Sequence, residues 1–177
     1  MTTFLNRVIG AALLRPAIYE EVEADRSATM QAMGVVALSS LAAGVGALGL
    51  ASARVTTLAG ISLLAFAVWG IWALLTLQIG TRILPSPRTQ ADIGQLLRTI
   101  GFASAPGILR IAGVIPGTTT IVFAVTAVWM LMAMIVAIRQ ALDYTSTARA
   151  FAVCVIGWAL TMAMAIGVGV FWATPVH

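Results

Sequence analysis

The 177-residue chain contains no lysine, one cysteine and one histidine, and only 9% of its residues are charged. Soluble globular domains carry about 25% charged residues, so this composition excludes an ordinary soluble domain. A single cysteine excludes an intrachain disulfide, and with one histidine it also excludes a cysteine–histidine metal cluster. Cys154 lies in an apolar run, where a small buried thiol is the usual role. We expect no metal and no cofactor.

Long apolar segments dominate what remains, since 60% of the residues are hydrophobic and the mean hydropathy is +1.02. Four windows contain no charged residue: 27–53, 55–81, 111–138 and 150–176. Each exceeds the roughly 20 apolar residues that cross a hydrocarbon core about 30 Å thick. The sequence therefore predicts an all-α integral membrane protein, a helix bundle with at least four crossings.

The ten basic residues are all arginine, and the net charge is +4. A strongly basic chain can bind nucleic acid, but these arginines stand singly at the ends of apolar segments and form no basic stripe. The favoured explanation for these arginines is that they set the orientation of the apolar segments across the membrane. We expect no nucleic-acid partner, and membrane lipids as the immediate surroundings.

Residues 1–27 are interpreted as a cytoplasmic segment that precedes the transmembrane domain, residues 28–177. Its first part predicts an amphipathic helix lying at the membrane interface, with a further helix packed on the bundle as the alternative. Pro16 ends this helix. The apolar face comprises Phe4, Leu5, Val8, Ile9, Ala12 and Leu13, and the polar side comprises Asn6, Arg7 and Arg15.

An acidic stretch follows, "YEEVEADRS", which holds four of the six carboxylates of the chain. We interpret it as a solvated juxtamembrane segment. The alternative is that it binds a cation or a basic partner. These carboxylates are Glu20, Glu21, Glu23 and Asp25.

The segment from Ile93 to Ile115 is apolar but contains two arginines. A helix of this length would be about 34 Å long, which is enough to cross. Arg98 and Arg110 are twelve residues apart, so each can extend its side chain to the headgroups of its own leaflet. The segment is predicted to be the third crossing, with a re-entrant loop as the alternative.

Pro106 lies within that predicted crossing and has no backbone N–H to donate. We expect a kink there and a carbonyl of Phe102 without its helical partner. Such a carbonyl must be shielded in hydrocarbon, and Ser104 is one candidate. The third crossing should therefore lie at the centre of the bundle, surrounded by protein.

The arginine distribution decides between the two alternatives. If the third segment crosses, eight arginines lie on one side and two on the other; if it re-enters, the split is seven to three. The positive-inside rule favours five crossings, with a cytoplasmic N-terminus and His177 outside. The predicted crossings span about 28–51, 57–81, 93–115, 119–141 and 148–173, and the first and fifth present small-residue faces for helix packing.

Three stretches carry a family resemblance: "RPAIYEEVEADRSATMQA", "RTIGFASAPGIL" and "IRQALDYTSTARAFAVCVIGW". In this order the chain resembles the Yip1 domain family over nearly its whole length. The resemblance implies a five-helix membrane bundle with a cytoplasmic N-terminus. Eukaryotic members act in vesicle trafficking and associate with Rab GTPases and with one another. The long cytosolic N-terminal region of those members is missing here, so no GTPase-contacting residue is carried over.

The use of arginine for all ten basic residues, together with abundant alanine, suggests a GC-rich bacterial genome. The functional prediction is a non-enzymatic scaffold in a bacterial inner membrane, with other membrane proteins or a second copy as partners. No catalytic residue is predicted, because Asp92 and Asp143 lie in loops and the histidine is terminal. Arg139 and Asp143 are four apart and could pair. The alternative is a small channel or transporter, with the kinked third helix lining the pathway. The candidate residues for partner binding or packing are Glu20, Glu21, Glu23, Arg98, Ser104, Pro106, Arg110, Arg139, Asp143 and Arg149.

Overall fold

The computed structural model describes residues 3–48, 55–86 and 91–173, and within these ranges all regular structure is helical. The predicted all-α class is therefore confirmed. In chain order, the helices are α1 (Phe4–Ala12), α2 (Pro16–Ala24), α3 (Ala28–Ala47), α4 (Val55–Gln78) with a π-helical turn (Ile79–Ile83), α5 (Ile93–Ala103), a 3₁₀-helix (Ala105–Val114), α6 (Thr119–Ala141) and α7 (Thr147–Ala173).

Three helical stretches in the described ranges are long and apolar enough to cross a membrane: Ala28–Ala47, Phe66–Ile83 and Thr119–Ala141. The stretch Thr147–Thr161 at the start of α7 is apolar but shorter. The bounds predicted for the fourth crossing coincide with α6. The predicted end of the first crossing lies outside the described residues, which stop at residue 48 and resume at residue 55.

Two buried clusters form the core, and α5 contributes to both. Phe102 packs in a cluster with residues of α1, α2, α3 and α6, whereas Ile100 packs in a cluster with the end of α4, α6 and α7. Trp69 and Met134 contact both clusters. The start of the third predicted crossing therefore lies at the centre of the bundle, as expected. Its second half is not surrounded by protein as predicted, since Leu109, Ile111 and Val114 are exposed.

The acidic stretch is a helix rather than the solvated segment that we predicted. Tyr19 and Val22 are fully buried in α2, because their spacing of three places both on the face that packs against the bundle. The hydroxyl of Tyr19 donates to the carbonyl oxygen of Ala11 at 3.0 Å, which fixes α1 against α2. Pro16 occupies the first turn of α2. Backbone N–H groups in a first turn have no acceptor within the helix, so a proline there removes no helical hydrogen bond.

Helix α1 also contacts the bundle. Gly10 and Ala11 are buried, and the indole Nε1 of Trp129 in α6 donates to the carbonyl oxygen of Ala12 at 2.7 Å. Its apolar residues Leu5 and Ile9 remain exposed. One side of α1 is thus packed on protein, and the opposite side is open.

The segment predicted as one kinked α-helix is instead two helices of different type. The α-helical part ends at Ala103, and a 3₁₀-helix continues from Ala105 to Val114. Pro106 lies in the first turn of the 3₁₀-helix, where proline is tolerated, so it begins a helix instead of kinking one. The hydroxyl of Ser104 reaches the carbonyl oxygen of Ile100 at 3.5 Å, and not that of Phe102 as predicted.

Glycines place the third segment directly against α3. They recur every six residues, which is two turns of a 3₁₀-helix, and their contacts on α3 recur every seven residues, about two turns of an α-helix. Because the contacts advance together, the two segments run in the same direction. The closest approaches to α3 of a β-carbon built on each glycine are Gly101 to Ala32 (2.7 Å), Gly107 to Ser39 (2.1 Å) and Gly113 to Gly46 (3.2 Å).

Candidate functional site

Arg7 anchors the first two helices to each other. It is 3% exposed, and its Nη2 lies 2.8 Å from Glu21 Oε1 and 2.8 Å from Asp25 Oδ2. Its Nη1 donates to Gln31 Oε1 at 3.0 Å. Burial alone would lower the pKa of Arg7, but the hydrogen bonds and charges of the two carboxylates outweigh it and raise the pKa. The pKa of Asp25 is lowered to about 2, first by the hydrogen bond from Ser27 and then by Arg7.

Arg98 also binds the C-terminal end of α2. It is 6% exposed, and its Nε donates to the carbonyl oxygens of Val22 at 3.0 Å and Glu23 at 3.2 Å. Its Nη2 also donates to the Glu23 carbonyl oxygen. The last carbonyls of a helix lack helical partners and carry the negative end of the dipole, so a guanidinium stabilises them. Arg98 was expected to reach lipid headgroups; it caps α2 instead.

A polar recess of about 540 Å³ lies between α2, the start of α5 and the α6–α7 turn. Three carboxylates face one guanidinium there, so the acidic charge is in excess. The amide of Gln140 donates to Glu20 Oε1 at 2.6 Å and orients that carboxylate. We call this the acidic recess, and its polar lining includes Glu20, Glu23, Gln95, Arg139, Gln140 and Asp143.

Glu23 is the titrating group of the acidic recess. Its pKa is raised to about 7, first by burial and then by the charge of Asp143, and the charge of Arg98 opposes both effects. A carboxyl with this pKa exchanges its proton near neutral pH. The recess can therefore change its charge within the physiological range.

The α6–α7 turn forms one wall of the recess. The predicted pair between Arg139 and Asp143 is wrong: Arg139 Nε donates instead to the backbone carbonyl oxygen of Tyr144 at 3.3 Å. Asp143 has a φ of 51° and is exposed. The hydroxyl of Tyr144 donates to the Leu84 carbonyl oxygen at 2.7 Å, and the Arg149 guanidinium lies 5.6 Å from the Tyr144 ring centroid. The turn is thus fixed against the end of α4.

A second cavity, of about 350 Å³, lies inside the bundle between α3, α4, α6 and the third segment. Arg110 is the charged residue of its lining. Arg110 Nε donates to Thr126 Oγ1 at 3.3 Å, and its guanidinium lies 5.4 Å from the centroid of the Phe123 ring. We call it the bundle cavity, and its apolar lining includes Val36, Val68, Trp69, Trp72, Met130 and Met134.

The predicted residues divide between these places. Glu20, Glu23, Arg139 and Asp143 line the acidic recess, and Ser104 and Arg110 line the bundle cavity. Glu21 pairs with Arg7, Arg98 caps α2, Arg149 lies over Tyr144, and Pro106 is buried in the 3₁₀-helix.

Sequence reasoning missed the roles of Arg7 and Gln95. Glu21 and Asp25 are four residues apart, which would place both on one side of α2 if that stretch were recognised as a helix. The amide side chain of Gln95 accepts from the backbone N–H of Asp92 at 2.7 Å in a capping box. The pattern "DIGQ" carries that signal.

No protein family, no curated protein and no solved structure matches this chain in comparisons with known proteins. The Yip1 resemblance therefore stays a prediction. Among the residues that the structure describes, no three His, Cys, Asp or Glu side chains are grouped to hold a metal ion. The described residues form a helical bundle in which three helices are long and apolar enough to span a membrane, which is compatible with an integral membrane protein.

Proposed function

We propose that the chain is a non-enzymatic scaffold of the Yip1-domain type, which crosses a bacterial inner membrane five times and binds a partner at the acidic recess. The observation that carries this proposal is the anchoring of α2. Arg7 holds it through Glu21 and Asp25, and Arg98 holds its C-terminal carbonyls. The acidic face is therefore preorganised, which reduces the entropy lost on binding.

Five crossings account best for the path of the third segment. Eleven α-helical and ten 3₁₀ residues give about 36 Å at 1.5 and 2.0 Å per residue, more than the hydrocarbon thickness. The segment runs in the same direction as α3, as a third crossing must relative to a first. A re-entrant loop would reverse within the membrane. The arginine count then orients the N-terminus, α2 and the acidic recess toward the cytoplasm.

The first helix fits a position at the interface. Leu5 and Ile9 of α1 and Leu13 at its C-cap are exposed, whereas Arg7 turns toward α2. An exposed apolar side next to the cytoplasmic ends of the crossings would enter the headgroup region. Its placement would set the depth of the recess relative to the membrane surface.

The partner that the recess fits is a basic juxtamembrane segment of another membrane protein or of a second copy. Among the charged lining residues that the structure describes, Glu20, Glu23 and Asp143 are negative and Arg139 is the single positive one. An incoming lysine or arginine would balance this excess, and complementary charge favours both the rate and the specificity of association. A homo-oligomer is the case in which the chain supplies its own basic segment.

The experiment introduces a photo-crosslinking amino acid at Thr145, which lines the recess and is exposed. We expect one protein adduct in membranes. The double variant Glu20→Arg with Asp143→Arg should abolish it, whereas Glu20→Asp with Asp143→Glu, which keeps both charges, should retain it. An adduct that survives the charge reversal would contradict the proposal, and so would a crosslinker that reacts with lipid alone.

A small channel or transporter is the second candidate, because Arg110 lies in the bundle cavity. Its lining is mostly apolar, however, and the 3₁₀-helix packs so closely on α3 at Gly46 and Gly107 that it leaves no water-wide path between them. Anion flux into liposomes that is lost in Arg110→Gln would favour this candidate over the scaffold.

A further inference from the structure

The bundle cavity is suited to a hydrocarbon chain. Eight apolar residues, with two tryptophans and two methionines among them, form most of the wall that the described residues provide. A volume of about 350 Å³ lies within the range of ligand sites in proteins. The cavity spans the middle of the bundle, since its residues lie near the midpoints of α3 and α6. It therefore lies at the depth of acyl chains.

Two of the three serines among the described lining residues bond to their own helix. Ser40 Oγ donates to the Val36 carbonyl oxygen at 2.8 Å, and Ser104 Oγ reaches the Ile100 carbonyl oxygen at 3.5 Å. Hydroxyls that bond to their own helix present little unsatisfied polarity to the cavity. The wall is thus less polar than its composition suggests.

Arg110 supplies a positive charge at one end of this apolar space. Its partners are the Thr126 hydroxyl and the face of Phe123, both uncharged. Among the residues that the structure describes, no carboxylate lies within 4.0 Å of the Arg110 guanidinium, and the ion pairs at that distance belong to Arg7. An arginine within a membrane normally pairs with an anion or reaches the headgroups, and its planar guanidinium matches the geometry of phosphate.

The position of Arg110 selects one leaflet. Its backbone lies against Gly46, one residue before the end of α3, and its side chain reaches Thr126, two turns into α6. The Arg110 guanidinium therefore lies toward one end of the bundle, and Arg98 and the acidic recess lie toward the other. A headgroup held there can extend one chain inward toward the middle of the bundle.

We propose that the bundle cavity binds one acyl chain of an anionic phospholipid, with its phosphate held by Arg110. Charge complementarity selects the anionic lipid, and the apolar wall selects an amphiphile over a free ion. This site does not depend on the proposed partner at the acidic recess, because the two lie at different levels of the bundle. Loss of either site in an experiment leaves the other to be judged separately.

Native mass spectrometry of the delipidated full chain in detergent tests the proposal, with phosphatidylglycerol and phosphatidylcholine of identical chains as probes. We expect phosphatidylglycerol to bind about tenfold more tightly, because the choline cation of phosphatidylcholine competes with Arg110 for the phosphate whereas the glycerol headgroup has no charge. Arg110→Gln should remove this preference. Arg82→Gln, which alters an exposed arginine outside the cavity, should retain it.

Ala43→Phe provides a second variant that keeps the charge. Ala43 lines the cavity, so a phenyl ring there should occupy the space and weaken binding of both lipids. Thermal unfolding and size-exclusion profiles establish that each variant is folded. Unchanged lipid binding in a folded Ala43→Phe would overturn the proposal.

Competition with inorganic phosphate separates a lipid site from a simple anion site. Millimolar phosphate should not displace phosphatidylglycerol, because phosphate lacks the chain that fills the apolar wall. If phosphate binds the delipidated protein and displaces the lipid, the cavity is an anion site and the proposal is wrong. An equal loss of lipid preference in Arg82→Gln and Arg110→Gln would also overturn it, since the attraction would then be nonspecific.

Discussion

Gly46 of α3 and Arg110 of the 3₁₀-helix meet backbone to backbone. A β-carbon built on Gly46 would lie 2.0 Å from the carbonyl oxygen of Arg110, a distance at which one backbone must move. Helices in lipid associate through such close contact, because the surrounding acyl chains provide no hydrophobic driving force between them. This contact holds the third segment against the first predicted crossing and positions Arg110 beside the bundle cavity.

Gly46→Ala should therefore destabilise the protein, by about 1–3 kcal/mol as in other overpacked cores. Gly34→Ala is the matched control, since no atom lies within 4 Å of a β-carbon at Gly34 in the same helix. Alanine favours a helix over glycine, so this control should be neutral or slightly stabilising. The midpoint of thermal unfolding in detergent measures both. Equal midpoints for the two variants would show that the contact at Gly46 does not hold the bundle together.

Arg7→Gln should release α1 from α2. It removes the positive partner of Glu21 and Asp25, and removal of one partner from a buried pair costs about 3–5 kcal/mol when both groups are fully buried. We expect a smaller cost, because both carboxylates are partly exposed. Hydrogen exchange should rise in residues 4–24 and not in α6.

Arg15→Gln is the control for that experiment, because Arg15 is exposed and makes no side-chain cap to α2. It should leave the exchange rates of α1 and α2 near those of the parent chain. Similar exchange in both variants would mean that the hairpin is held by Tyr19 and Val22 and not by the ion pairs.

Stability should fall as the pH rises from about 5 to about 8. The pKa of Glu23 is about 7, above its ordinary value of 4.5. Between these values the folded chain retains a proton that the unfolded chain has released, so the free energy of unfolding decreases with pH. The slope cannot exceed about 1.4 kcal/mol per pH unit for one proton, and it should be smaller because Glu23 is half-buried.

Glu23→Gln mimics the protonated carboxyl and should flatten this dependence in thermal unfolding curves taken across the same range. An unchanged slope would assign the effect to another group. Asp25 acts in the opposite direction at lower pH. Its pKa is lowered to about 2, so the stability that it contributes is present above about pH 4 and is lost as the pH falls toward 2.

A reporter fused after His177 tests the five crossings. An enzyme that is active only outside the cytoplasm should be active in this fusion, and a reporter fused before α1 should show a cytoplasmic location. A further reporter inserted between Asp143 and Thr147 should also be cytoplasmic. A cytoplasmic result after His177 would mean an even number of crossings and would contradict the topology.

The local sequence specified the uniformly apolar helices best. The predicted bounds of α6 coincide with the observed ones, because a long apolar segment must satisfy its backbone hydrogen bonds internally and a helix does so whatever surrounds it. The acidic stretch was misjudged for the opposite reason. Glu20 and Glu21 indicated solvent, but whether α2 is solvated depends on what its Tyr19 and Val22 contact.

The third segment shows most clearly how far the structure could be predicted from the sequence. Its composition determined that it is apolar, that it carries Arg98 and Arg110 and that Pro106 interrupts an α-helix. Only the tertiary structure decided that a 3₁₀-helix follows, because its close contact with α3 compensates for poorer hydrogen-bond geometry. The spacing of Gly101, Gly107 and Gly113 was visible in the sequence, but it acquires meaning only once α3 lies beside it.

The sequence by itself thus determined the all-helical class and the long apolar helices suited to span a membrane, since these follow from composition and from hydrogen bonds between neighbours in the chain. The tertiary structure decided which charges meet: Arg7 with Glu21, and Arg98 with the carbonyls of α2, 75 residues earlier. Such pairs arise from the arrangement of whole helices, and no local pattern encodes that arrangement. The acidic recess and the bundle cavity both depend on it.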